Sequence, residues 1–255
     1  MRLICLVNNH LGWQALEFLR KHEEIVAVIM HAEERCKFED EIRAAANAAR
    51  AKLFRADTLR TADGLQQISA TRPELGISVM FGHILRREFL SLLPQGCLNL
   101  HPAYLPFNRG AHPNVWSIVD GTPAGVTLHY IDEGIDTGDI VSQKKVTVEY
   151  TDTGGSLYRK LEAAGIELLR ESWPAVRRGN LQRTPQQPGS GTFHKASDLE
   201  RLDEIDLPKT YKAQDLLNIL RARTFAPYRG SFFRHNGRKV YIRLELEEES
   251  DGNNS

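Results

Sequence analysis

Cysteine is scarce: three residues in 255, at positions 5, 36 and 97, with no Cys-x-x-Cys pair. An odd, scattered set excludes a disulfide framework, and the missing pair spacing excludes a cysteine zinc site, so no metal is expected. The thiols are expected to be reduced, as in a cytoplasmic protein. No apolar run approaches the roughly 18 residues of a membrane span. Met1-Arg2 leads straight into the apolar Leu3-Ile4-Cys5-Leu6-Val7 without a signal-peptide pattern. A charge of one sign is missing too, since 33 Lys+Arg balance 33 Asp+Glu. That argues against a broad footprint for nucleic acid. There is no G-x-G-x-x-G motif and no internal repeat, so a dinucleotide cofactor has no support. Small-molecule partners are expected, with neither nucleic acid nor membrane among them.

The chain is long enough for a large domain and a small one. Up to about residue 110 short apolar runs alternate with helical patterns. Leu3–Val7, Ile25–Met30, Ile77–Phe81 and Cys97–His101 read as buried strands, and Lys52–Arg55 as a short extended piece. Helices are predicted between them, one carrying Leu11, Ala15, Phe18 and Leu19, one over Glu39–Ala51 and one over Leu85–Leu93. This alternation predicts an α/β, Rossmann-like fold with a mostly parallel twisted sheet. Two further strands, Val126–Ile131 and Ile140–Val148, flank a turn-rich loop, and a helix follows Asp152-Thr153 and ends by Gly179. Residues 182–192, rich in Gln, Pro, Gly, Ser and Thr, read as a linker. Beyond them a helix capped by Thr210 and a hairpin turning on Asn236-Gly237 are predicted, with Val240, Ile242, Leu244 and Leu246 alternating after the turn. The expected domains are 1–180 and a small C-terminal α+β module, 181–246, followed by a disordered acidic tail, 247–255.

Chemistry concentrates in Cys97-Leu98-Asn99-Leu100-His101-Pro102. Strand alternation puts Asn99 and His101 on one face, and Pro102 ends the strand with His101 at its carboxyl end, where open α/β sheets gather ligands. Asp136 lies downstream between Gly134 and Gly138, in a loop whose glycines permit close backbone approach. Folded over the strand end, the three groups suit acyl transfer to an amine. Asn99 would donate to the oxyanion, His101 would donate or relay a proton, and Asp136 would orient the imidazole and accept the amine proton. Each group also has a structural reading: a satisfied strand histidine, a turn-capping asparagine, an Asx-turn aspartate.

The order and spacing of two separated motifs decide between these. Asn99-Leu100-His101-Pro102-Ala103-Tyr104-Leu105-Pro106 with Arg109-Gly110, and then Asp132-Glu133-Gly134-Ile135-Asp136-Thr137-Gly138-Asp139, closely resemble the folate-dependent formyltransferases over about residues 1–180. The resemblance implies transfer of a formyl group from N10-formyltetrahydrofolate to a primary amine, with Asn99, His101 and Asp136 as the catalytic trio. It also implies that the pterin lies against His83, Ile84 and Leu85 and under Asp132, Glu133, Gly134 and Ile135.

Asn108-Arg109-Gly110-Ala111-His112-Pro113-Asn114-Val115-Trp116 and Arg223-Thr224-Phe225-Ala226-Pro227-Tyr228-Arg229-Gly230 look like the branch acting on nucleotide-linked 4-amino-4,6-dideoxysugars, whose products enter surface polysaccharide such as O-antigen. That likeness makes Asn9, Tyr104, Arg109 and His112 candidate substrate contacts and a homodimer the expected assembly. A methionyl-tRNA formyltransferase would share the trio but usually carries a longer C-terminal domain and a basic surface. A non-catalytic folate- or nucleotide-binding protein would not require the trio.

Overall fold

The computed structural model describes residues 1–249. Five strands, β1 (Arg2–Val7), β2 (Glu24–Met30), β3 (Lys52–Arg55), β4 (Leu75–Val79) and β5 (Cys97–His101), pair in parallel in the order β3-β2-β1-β4-β5. The chain then leaves the sheet in a two-residue strand, β6 (Arg109–Gly110), and returns as β7 (Ala124–Tyr130) and β8 (Ile140–Val146), both antiparallel to their neighbours. The result is a seven-stranded, mostly parallel, Rossmann-like sheet, as the alternating pattern predicts. β9 (Phe193–His194) pairs in parallel with β6, and β10 (Phe232–His235) and β11 (Arg238–Tyr241) form the C-terminal hairpin. Asn236 and Gly237, at φ 49° and 75°, supply the two positive φ angles that a type I′ turn demands.

Eight α-helices accompany these strands among the described residues: α1 (Asn9–Leu19), α2 (Glu39–Ala48), α3 (Ala62–Ser69), α4 (Arg87–Leu90), α5 (Pro113–Val119), α6 (Gly154–Arg177), α7 (Asp198–Asp203) and α8 (Ala213–Arg223). Strand alternation divides the core in two. Val28, Met30, Leu98 and Leu100 face one cluster with apolar residues of α1, α2, α5 and α6; Ala27, Ile29 and Cys97 face a second with Ile68 and Phe89. α6 is the largest cover. Thr153 and Ser156 form a capping box at its start, and Leu157, Leu161, Leu168 and Leu169 are buried along one face. On the second face the cover is short: α4 has four residues, and its side of the sheet lies open over β5 and β7.

Several boundaries differ from the sequence reading, for identifiable reasons. The strand expected at Ile77–Phe81 is β4, two residues earlier, and Met80 turns away with φ 56°. The helix expected over Leu85–Leu93 is confined to α4, because Gly82–Arg86 runs as a loop and Arg86 is still extended at the N-cap. α2 stops at Ala48, where Arg50 adopts φ 56°, and β8 stops at Val146. Thr210 does not cap α8, which begins after Lys212 without a side-chain cap. β11 ends at Tyr241, since beyond the Ile242 N–H bond to the Ser231 carbonyl at 2.8 Å there is no opposing strand. The acidic tail expected from residue 247 lies mostly outside the described residues.

The segment read as a linker is not a free connection. Thr184 exchanges two backbone hydrogen bonds with Ile140, both 2.9 Å, and Thr192 Oγ1 donates to the fully buried Asn108 side chain at 3.1 Å. Asn108 in turn donates to Ser117 at 2.9 Å and Thr122 at 2.8 Å. Residues 184–194 therefore form a strap tied to β8 at one end and to β6 at the other.

At the end of β2, His31 is buried against Phe81 and His83, and its Nε2 accepts from the Gly82 N–H at 3.3 Å. Burial, with the nearby His83 and Arg35 charges adding to it, pushes its pKa down to about 4. The unfolded chain, with a histidine pKa of about 6.5, binds the proton first on acidification. The stability associated with neutral His31 is present above the unfolded value and is lost as pH falls toward the folded one. Urea midpoints measured from pH 7 to pH 4.5 are expected to fall, and to fall less steeply in His31→Gln.

Candidate active site

β5 supplies the floor. Asn99 and His101 project from the face opposite Leu98 and Leu100, at the carboxyl end of the strand. β7 runs antiparallel beside it in a register that sets His129 directly across from Asn99 and Thr127 across from His101. The cross-strand pairing accounts for the 3.1 Å contact between Asn99 Nδ2 and His129 Nε2.

The direction of that hydrogen bond follows from the rest of the imidazole. His129 Nδ1 lies 2.8 Å from the Tyr130 carbonyl oxygen, which can only accept, so Nδ1 carries the proton. The ring is 1 % exposed, and burial, reinforced by the neighbouring His101, holds its pKa well below the ordinary histidine value. A neutral ring protonated on Nδ1 offers a lone pair on Nε2, and the Asn99 NH₂ group donates to it. The Asn99 amide is thereby fixed with its donor side turned into the cavity.

Asp136 arrives from the β7–β8 loop. Asp132 builds that loop with its own carboxylate, which accepts from the Gly134 N–H at 3.0 Å and from the Thr137 hydroxyl at 2.7 Å. A Cβ on Gly138 would stand 1.9 Å from the Tyr130 carbonyl oxygen, so glycine is required there. Asp136 itself sits at φ 54°, the left-handed region that aspartate tolerates better than most residues. Its Oδ2 accepts from the Gly110 N–H at 2.8 Å and stands 3.6 Å from His101 Nε2; Oδ1 is 3.5 Å from Asn99 Nδ2. His101 Nε2 also faces the Asn108 carbonyl at 3.4 Å. The long contacts about Asn99, His101 and Asp136 leave room for a reacting group to enter and tighten them.

These residues floor a cavity of about 650 Å³. One wall is apolar: Ile84, 75 % exposed, with Leu85 and Ile135. A large aliphatic side chain held open to solvent at a cavity mouth suits a flat, partly apolar ligand. The lining also includes His112, Pro113, Phe193, His194 and Lys195. His112 has its pKa lowered by burial and by the charge of Arg223. Of the groups expected at the pterin, His83, Ile84, Leu85, Asp132, Gly134 and Ile135 line the cavity, whereas Glu133 is exposed outside its lining.

Three of the four expected substrate contacts point elsewhere. Asn9 donates to the Tyr158 hydroxyl at 2.7 Å, Tyr104 packs beneath Lys145, and Arg109 spends its guanidinium on Gln186 and the Ser190 carbonyl. None of the three lines the cavity; His112 does. Two side chains that contact the site and were not marked in the sequence are His129, across from Asn99, and Gln186, bonded to the Asp136 carbonyl. The alternation Thr127-Leu128-His129, polar on the Asn99 face of an otherwise apolar strand, carried a signal for the first. Gln186 sits in a polar stretch without periodicity and carried none. Among the described residues no group of three or more His, Cys, Asp or Glu is placed to hold a metal, and no helix is long and apolar enough to cross a membrane.

Comparison with known proteins agrees with this geometry. Residues 2–172 match the formyl transferase family model, and residues 198–248 match the N-formyltransferase dimerization C-terminal domain. The chain is 39 % identical over 168 residues to a dTDP-4-amino-4,6-dideoxyglucose formyltransferase of Mycobacterium bovis, covering 64 % of this chain and 71 % of that protein. It is 37 % identical over 178 residues to a methionyl-tRNA formyltransferase of Carboxydothermus hydrogenoformans, covering 69 % of this chain and 56 % of that one. In structure it resembles a 4-N formyltransferase from Francisella tularensis, with a TM-score of 0.81, 25 % identity and coverage of 97 % and 98 % of the two chains. A formyltransferase from Anoxybacillus kamchatkensis, solved with UDP-4,6-dideoxy-4-formamido-L-AltNAc and tetrahydrofolate, matches with a TM-score of 0.57, 26 % identity and coverage of 87 % and 98 %. With Asn99, His101 and Asp136 converging on one cavity and the family model matching residues 2–172, this chain is an enzyme of the formyl transferase family.

Proposed function

We propose that the protein transfers the formyl group of N10-formyltetrahydrofolate to the 4-amino group of a nucleotide-linked 4-amino-4,6-dideoxysugar, of the dTDP-glucose or GDP-perosamine type. The observation that carries this reading is the Asp136 carboxylate placed between Asn99 and His101 on the floor of a cavity lined by both apolar and polar side chains. The relatives sharpen the acceptor: a dTDP-4-amino-4,6-dideoxyglucose formyltransferase, and a 4-N formyltransferase matched over almost its whole length. The folate-bound neighbour supports the donor.

The chemistry follows from the groups in place. The acceptor amine, unprotonated, attacks the formyl carbon, and the carbonyl oxygen becomes an oxyanion. The Asn99 N–H not used on His129 donates to it, and His101 Nε2 lies on the same face to donate as well. Asp136 takes the proton that the attacking nitrogen must lose, directly or through water. Collapse of the tetrahedral species breaks the bond to N10 of the folate, which takes up the proton held by Asp136, directly or through water; the carboxylate is regenerated and the formamide remains on the sugar. No covalent intermediate with the protein is needed. Ile84, Leu85 and Ile135 would cover the pterin, and His112, with the lining beside it, the sugar. We assign the hairpin and α8 to a homodimer, on the strength of the dimerization-domain match, and the product to surface polysaccharide such as O-antigen.

Mass spectrometry of the protein mixed with N10-formyltetrahydrofolate and a panel of acceptors tests the reading. The panel comprises dTDP-4-amino-4,6-dideoxyglucose, its galactose epimer, GDP-perosamine and methionyl-tRNA. One added formyl on a nucleotide sugar is expected; product on the tRNA alone overturns the acceptor and leaves the mechanism standing. The orienting role of His129 predicts a second outcome. His129→Phe removes the acceptor that fixes Asn99, so kcat should fall roughly 10-fold or more while folate affinity is retained; an unchanged kcat contradicts that role.

A further inference from the structure

Asp136 is held at two points, and both lead back to β6. Its carboxylate accepts from the Gly110 N–H. Its backbone carbonyl accepts from Gln186 Nε2 at 2.9 Å, and the second hydrogen of the same amide goes to the Gly138 carbonyl at 2.8 Å. Gln186 Oε1 accepts from Arg109 Nε at 3.1 Å and Nη2 at 2.6 Å, while Arg109 Nη1 donates to the Ser190 carbonyl at 3.1 Å. Every polar atom of the Gln186 side chain is engaged. Rotating the amide by half a turn would set Oε1 against two carbonyl oxygens and the NH₂ group against a guanidinium, so only one orientation is allowed.

We infer that Gln186 and Arg109 are positioning residues for Asp136: a clamp from the strap, lying between the two family-matched segments, that fixes the carboxylate against Asn99 and His101. The inference rests on the formyl-transfer reading for what the clamp serves. The clamp itself stands on the hydrogen bonds. It explains why a residue in a left-handed backbone conformation, in a nine-residue loop with two glycines, can hold a carboxylate steady. It also gives Arg109 a role inside the protein, in place of the substrate contact expected from sequence. Displacement of a catalytic group by about 1 Å can cost up to about 100-fold in rate, and removing Gln186 releases both carbonyls that fix the loop.

Two substitutions of equal size separate this from a general structural role. Gln186→Met removes all four hydrogen bonds. Gln186→Glu keeps an acceptor for Arg109, and strengthens that pair, but turns a carboxylate oxygen toward the Asp136 and Gly138 carbonyls. Both variants are expected to lower kcat roughly 10- to 100-fold with KM for either substrate within about 3-fold. In an Asp136→Asn background the same changes should add little, because Gln186 acts only through Asp136. Full additivity in that cycle, or a Gln186→Glu variant as active as the starting protein, overturns the inference. Hydrogen–deuterium exchange over residues 132–139 reads the clamp without turnover. Exchange should be faster in Gln186→Met and unchanged in a distant strand such as β1; an unaltered loop overturns the clamp even if catalysis is normal. Failure of the formyl-transfer reading shows separately, as absence of product in the unsubstituted protein.

Discussion

The antiparallel return of β7 beside β5 is the constraint on which the site depends. A parallel neighbour would have continued the α/β alternation and released its following loop at the carboxyl end of β5. Running the other way, β7 places His129 opposite Asn99 and ends beside Cys97, and the nine-residue loop that follows folds back across the face on which Asn99 and His101 project. A register slip of one residue would put Leu128 opposite Asn99 and reverse both faces of β7. That slip is opposed by the core, because Val126 and Leu128 are fully buried among residues of α5 and α6. The packing energy of one face therefore holds the chemistry of the other.

The second element is a gap in the helical cover. Over β1 and β2 the sheet is covered on both faces, but beyond the four-residue α4 the carboxyl end of β4 and the adjoining β5 and β7 are open, and the opening is the cavity. Buried polar groups at its floor are tolerated because they satisfy one another. His129 is neutral and bonded at both nitrogens, Asn99 donates to it, and Asp136 is bonded to a backbone N–H. The strap closes the arrangement from outside, tying β6 to the loop that bears Asp136.

Much of this was legible in the chain. Four of the five parallel strands announce themselves as apolar runs between helical patterns, β3 being only a short extended piece, and the Asn-x-His pair before a proline marks the strand end where ligands gather. Asn236-Gly237 gives the hairpin turn outright, because few dipeptides accept two positive φ angles. Long-range pairing was not legible. Lys212 rather than Thr210 starts α8, and Gly82–Arg86 stays a loop, because tertiary packing overrides local propensity. Gln186 lies fifty residues from Asp136 in a stretch whose composition reads as a linker, and only folding shows that its amide is fully committed. Arg109 was visible as a charged group beside a motif, but its partner was not, so an internal tie read as a ligand contact.

The central claim, that the oriented Asn99 amide stabilises the oxyanion of a formyl transfer, is tested most directly by Asn99→Ala. Turnover with N10-formyltetrahydrofolate and the best acceptor should be compared with folate affinity by calorimetry. A loss on the order of 10² to 10³ in kcat, with folate still bound, is the expected result. Unchanged turnover would remove Asn99 from the chemistry and with it the reading of the site as built around that amide.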